Sequence, residues 1–127
     1  MRGEYLRVRA LVRQLSAATP IPFPAARERI RAPDSHGVYL IYSSRRVVLH
    51  VGRTVRGKRG LRQRLNDHLH GSSSFTQRYL DGRGSLLRKA HSFAYVKVAN
   101  SRRRALVEAL AIGCLCPVHL GDGASAA

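Results

Sequence analysis

GVYLIYS (residues 37–43) and RVVLHVG (residues 46–52) are two short runs rich in β-branched and aromatic residues, joined by the polar bridge Ser43-Ser44-Arg45. Such side chains suit a pleated, buried surface, and a short polar connection between two such runs predicts a β-hairpin. Strand side chains alternate, so Tyr39 and Tyr42 are expected on opposite faces. Downstream, SFAYVKVA (92–99) alternates as a third strand does. Between hairpin and third strand, LRQRLNDHLH (61–70) sets Leu61, Leu65 and Leu69 in one helical stripe that stops at Gly71. Ser73–Leu80 has room for another short helix before the turn at Asp81–Gly84. Ser101 is expected to cap a last helix over 102–115, ended by Pro117.

Upstream, residues 4–16 read as an amphipathic helix, with Val8, Leu11, Val12 and Leu15 on one face and Arg2, Arg9 and Arg13 on the other. Pro20, Pro22 and Pro24 then impose an extended linker, and Ala25–Arg31 is expected as a short helix that Pro33 stops. The expected fold is α+β, a small three-stranded antiparallel sheet flanked by helices, with an N-terminal helical extension. Residues 1–33 are that extension and its Pro-rich linker, 34–122 the main domain, and 123–127 a disordered tail.

The 127 residues carry 23 Lys and Arg against seven Asp and Glu, a formal net charge of +16. Self-repulsion on that scale points to a polyanionic partner, nucleic acid first, although charge alone does not separate DNA from RNA. With 44% hydrophobic residues the chain has material for a core and is no disordered basic tail. The longest nearly apolar stretch, Ala105–Val118, carries Glu108 and is too short to span a bilayer, so no membrane role is expected. Cys114 and Cys116 lie too close together to staple loops, which fits a reducing, cytoplasmic setting, and both read as core residues rather than metal ligands. Aromatics are only 6% and Trp is absent, which argues against a broad base-stacking platform.

Four groups of residues carry possible chemistry. Glu108 is the only carboxylate between Gly82 and Gly121, and it interrupts the apolar run ALVEALAI (105–112). A half-buried carboxylate needs a cation beside it. That cation is either an arginine in a structural ion pair or a Mg²⁺ ion on phosphate, which takes only one or two protein carboxylates. Arg64 and His68 sit i,i+4 at the border of the leucine stripe, where a guanidinium can grip a phosphate oxygen and an imidazole can carry a proton. An arginine-rich helix also yields such pairs by chance, and Tyr39 taken alone is an ordinary strand residue of a core. Arg53, Arg56, Lys58, Arg59 and Arg62 cluster in a glycine-punctuated loop and the helix start behind it, as a phosphate track or as a solvated basic loop.

Order and spacing join these signals. Gly37-Val38-Tyr39, ten intervening residues, His50-Val51-Gly52, then Arg64, His68 and Glu108 together resemble the GIY-YIG nuclease family over Asp34 to Leu120. The first tripeptide stands here as GVY, the second as HVG, and GLRQRL (60–65) is similar to the family's arginine motif. Glu108, with Pro117 nine residues later, resembles the metal-binding glutamate and its downstream proline. His50 replaces the tyrosine that usually opens the second tripeptide. Leu120 stands where the family has an asparagine, with His119 adjacent. The resemblance implies a DNA endonuclease using Mg²⁺ or Mn²⁺. Glu108 would hold the metal, Arg64 would neutralise charge on the phosphate, and Tyr39 with His50 or His68 would take the proton of the attacking water. The alternative is a nucleic-acid-binding module of the same fold that has lost hydrolysis, as the departures at His50 and Leu120 suggest. Because 33 residues are short for a sequence-reading domain, cleavage is expected to be structure-selective or weakly sequence-selective, or targeted by a protein partner.

Overall fold

The computed structural model describes residues 2–55 and 60–120. Arg56, Lys58 and Arg59 of the basic loop, and the tail from 121 onward, lie outside the described residues. The architecture is α+β, built on one antiparallel sheet. In chain order the elements are α1 (Arg2–Ala17), β1 (Ile21–Pro22), β2 (Gly37–Tyr42), β3 (Val48–Arg53), α2 (Gly60–Leu69), α3 (Ser74–Tyr79), a 3₁₀ turn (Gly84–Arg88), β4 (Ser92–Lys97) and α4 (Ser101–Leu115).

All six residues of β2 are buried, as its continuous apolar run requires, and the strand lies between β3 and β4. Alternation divides its side chains between two cores. Val38, Leu40 and Tyr42 face α1 and α4, where they meet Val8, Val12, Leu15, Val107 and Ala111. Tyr39 and Ile41 face the other way, onto Leu61, Leu65 and Leu69 of α2, Phe75 of α3 and Leu87. The pairing of β2 with β3 slips between Ile41 and Tyr42, and Leu49 is the extra residue of the bulge. Leu49 and the neighbouring His50 therefore both serve the α2 side, Leu49 in its core and His50 stacked on Phe75.

Several sequence expectations need correction. The sheet has four strands in the order β1-β4-β2-β3, not three. The proline-rich linker is extended, as its prolines demand, and Ile21 and Pro22 use that extension to pair with Phe93 and Ser92. Pro22 sits on an edge strand, a sheet position that tolerates a residue without an N–H. Residues 25–31 form no helix. Arg27 takes the left-handed conformation (φ 73°) in a turn, and the segment is held flat by Phe23 and Ile30, both buried in the α2-side core. The cap of α4 is Asn100, whose Oδ1 accepts the Arg103 N–H at 2.8 Å, rather than Ser101. Cys114 and Cys116 are exposed, not core: α4 buries only the stripe Arg104, Val107 and Ala111, and its last turn lies outside that stripe. α1 shares its core with the sheet and α4 through Val8, Val12 and Leu15. Among the described residues no helix is long and apolar enough to cross a membrane.

Candidate active site

The site forms where β2, the end of β3 and α2 converge. Three backbone devices fix α2. The N–H groups of Leu61 and Arg62 donate to the carbonyls of Ser35 and Pro33 at 2.8 and 3.1 Å, satisfying part of the helix's first turn. Gly60 opens the helix with φ 47°, and a side chain there would collide with the Ser35 carbonyl. Arg62 then straps the start of the helix down, its Nε donating to the Ala32 carbonyl at 3.1 Å and its guanidinium lying 3.3 Å from Asp34. Arg62 thus serves the fold at this point, whereas Arg53 and Arg64 line a cleft of about 270 Å³ together with Thr54, Val55, Gly60, Gln63 and Asp67.

Held this way, α2 aims His68 at the sheet. His68 and Tyr39 are both fully enclosed, and the Tyr39 hydroxyl lies 2.7 Å from His68 Nε2. The phenol lies over Gly52 of the paired strand, where any side chain would collide with its ring and hydroxyl, so the glycine of HVG is a steric requirement. The Arg64 charge acts on the Tyr39 hydroxyl and favours its ionised form. Burial pushes the phenol up to about 12, against the pull of Arg64, and it holds His68 well below the usual histidine range. Both groups are neutral at pH 7.

His50 is placed differently. It is buried in a row of rings, stacked on Phe75 with centroids 5.0 Å apart and edge-on to His68 at 5.2 Å, and its Nδ1 lies 3.1 Å from Nδ1 of His119. Burial, with His119 and Arg64 adding to it, lowers His50 to about 3. The imidazole hydrogen-bonded to Tyr39 is that of His68, and His50 packs behind that pair. His119 reaches its place because Val118 and His119 donate backbone N–H groups to the Val48 and Leu49 carbonyls along the outer rim of β3. Leu120 is exposed.

Glu108 is half-buried on α4, with Arg53 Nε 3.3 Å from its Oε1. Burial raises its carboxyl, and Arg53 and then Arg64 oppose the rise. The cation expected beside this carboxylate is therefore Arg53, at the rim of the cleft. Thr54, the residue after Arg53, is tied to the start of β2: its Oγ1 accepts the Gly37 N–H at 3.1 Å and contacts His36 Nδ1 at 2.7 Å. The buried Arg104, which the sequence did not single out, clamps the same corner. It donates to the carbonyl of Thr54 at 2.7 Å and to those of Val98 and Ala99 at 3.0 Å.

Two further residues escaped the sequence reading. Ser73 Oγ lies 2.5 Å from His68 Nδ1, and the Thr76 hydroxyl donates to the His68 carbonyl at 2.8 Å. The cue available was Ser73 as an N-cap just after the Gly71 stop; nothing linear ties it to His68. Among the described residues no three His, Cys, Asp or Glu side chains are arranged so that they could hold a metal ion. One half-buried carboxylate beside two arginines does fit a Mg²⁺ ion whose remaining ligands are phosphate and water. Compared with known proteins, the chain matches no protein-family model and no curated protein.

Proposed function

We propose that the protein is a metal-dependent endonuclease of the GIY-YIG kind that hydrolyses phosphodiester bonds in DNA. The observation that carries this reading is the Tyr39–His68 hydrogen bond of 2.7 Å, next to a cleft lined by Arg64, whose charge acts on the phenol. A buried phenol with a neutral imidazole behind it is a proton relay, and Arg64 sets it beside a place where a phosphate can sit.

The substrate phosphate is held by Arg53 and Arg64, with Arg56, Lys58 and Arg59 of the adjoining loop extending the track. Water attacks phosphorus as the bond to the leaving 3′ oxygen breaks, and that oxygen takes a proton from solvent to give a 3′ hydroxyl. The water's proton goes to the Tyr39 oxygen while the Tyr39 proton passes to His68 Nε2. Arg64 compensates the charge growing on the non-bridging oxygens, an effect worth about 3–4 kcal/mol per donor in comparable oxyanion sites. Glu108 would hold Mg²⁺ or Mn²⁺, which when bound supplies Lewis-acid stabilisation of the phosphate and leaving oxygen. His50 keeps His68 and Phe75 in place rather than reacting. In this reading Glu108 exchanges its ion pair with Arg53 for the metal when substrate phosphate takes Arg53.

The test is cleavage of nicked, flapped, branched and plain duplex DNA, with Mg²⁺ or Mn²⁺, by wild type and Glu108→Ala. Cleavage that needs metal and is lost in the variant, with binding retained, is the expected result. Salt-sensitive binding without cleavage of any substrate would leave the binding module as the function.

A further inference from the structure

The hydroxyls around His68 leave its ring one arrangement. A carbonyl only accepts, so the Thr76 hydroxyl must use its single O–H on the His68 carbonyl, 2.8 Å away. Thr76 Oγ1 is then an acceptor for its other neighbour, Ser73 Oγ at 3.0 Å, which must use its own O–H there. Ser73 Oγ, left with lone pairs only, takes the Thr76 N–H at 3.1 Å and faces His68 Nδ1 at 2.5 Å. The proton in that last contact can come only from Nδ1. His68, Ser73 and Thr76 are all buried, so no solvent contact offers another arrangement.

We infer that Ser73 and Thr76 are positioning residues for the base: their hydroxyls hold His68 as the Nδ1–H tautomer, so that the Nε2 lone pair faces the Tyr39 hydroxyl. In the opposite tautomer, Nδ1 and Ser73 Oγ would meet lone pair to lone pair at 2.5 Å, and Nε2 could not accept a proton. Neither hydroxyl touches substrate; both act through His68. The inference takes its functional meaning from the reading of Tyr39 and His68 as the proton relay, but the tautomer itself is observable without any substrate.

The experiment is a long-range ¹H–¹⁵N correlation spectrum of the full ¹⁵N-labelled chain at pH 7, with the His68 signals identified by their loss in His68→Gln. Wild type should show a protonated Nδ1 and an unprotonated Nε2. Thr76→Val keeps the side-chain shape and the Ser73 cap but removes the acceptor for the Ser73 O–H. That hydroxyl then turns to donate to His68, and the proton should move to Nε2. Cleavage should drop in kcat by about tenfold or more, with KM little changed. Ser73→Thr, which retains a hydroxyl, should keep the Nδ1–H form. Wild-type His68 protonated on Nε2 would overturn the inference whatever the variants do, as would a folded Thr76→Val that keeps Nδ1–H. A chain that shows the Nδ1–H tautomer but cleaves no DNA would instead overturn the nuclease reading.

Discussion

The two faces of the sheet are both buried, yet they are built from different materials. Towards α1 and α4 the contacts are aliphatic apart from Tyr42, with Val8, Val12 and Leu15 against Val38, Leu40, Val96 and Val107. The buried polar group on that side, Arg104, ties backbone carbonyls at the end of the sheet. Towards α2 and α3, Tyr39, His50, His68, Ser73, Thr76 and His119 are sealed in with Phe75. A buried polar network stabilises little over an apolar core of the same shape and is costly when any member goes unpaired. The aliphatic face shows that this chain can cover the sheet without such a network. On the proposed function, the polar face is there for what it does to protons.

That contrast can be broken most sharply at Tyr39. Tyr39→Phe keeps the ring over Gly52 and removes only the hydroxyl, so cleavage per folded molecule should fall by roughly 10²–10⁴-fold, while the unpaired His68 Nε2 costs about 1–3 kcal/mol of stability. Leu15→Ala on the opposite face should cost stability alone. It should destabilise by about 2–5 kcal/mol and leave kcat per folded molecule at the wild-type value, as paired urea titrations and cleavage assays would show.

Acid separates the faces again. His50 is lowered to about 3, so below its ordinary range the unfolded chain takes up a proton that the folded protein refuses. Stability thus falls as pH drops, by about 1.4 kcal/mol per unit from this residue, or roughly 2 kcal/mol between pH 6.5 and 5. His68, also lowered, adds to the loss in the same direction. Thermal midpoints at pH 7 and pH 5 measure it, and Leu15→Ala should show the same pH difference as wild type because it leaves the histidines alone. The smallest effect is expected at a site belonging to neither face. Asn100→Ala removes the cap of α4 and should lower stability by about 1 kcal/mol at either pH, with cleavage unaffected.

What could be read from the sequence follows from how far apart the interacting residues lie. GVYLIYS, RVVLHVG and SFAYVKVA disclosed strands, and the leucine stripe disclosed α2, because each signal is a local period. Glu108 disclosed its need for a cation because an acid within ALAI-type sequence is conspicuous by itself, and Arg53 answers it across 55 residues. β1 could not be foreseen: an extended proline segment becomes a strand only if a sheet edge lies beside it. Nor could the Ser73–Thr76 arrangement, since its meaning depends on α3 folding back over the end of α2. The exposure of Cys114 and Cys116 is hidden from the sequence for the opposite reason. α4 is apolar nearly all round, and composition alone does not tell which stripe the sheet will cover.

The outer rims of the sheet bear on how the protein behaves in concentrated solution. On one side the last strand is two residues long and includes Pro22; on the other, Val118 and His119 occupy the Val48 and Leu49 carbonyls of β3. Neither rim presents a long open ladder for a stranger's strand to extend. The +16 charge also keeps copies apart, but salt screens that repulsion within about 10 Å at 0.1 M. The blunted rims are indifferent to ionic strength, so resistance to strand-by-strand aggregation should persist in brine, where charge no longer protects.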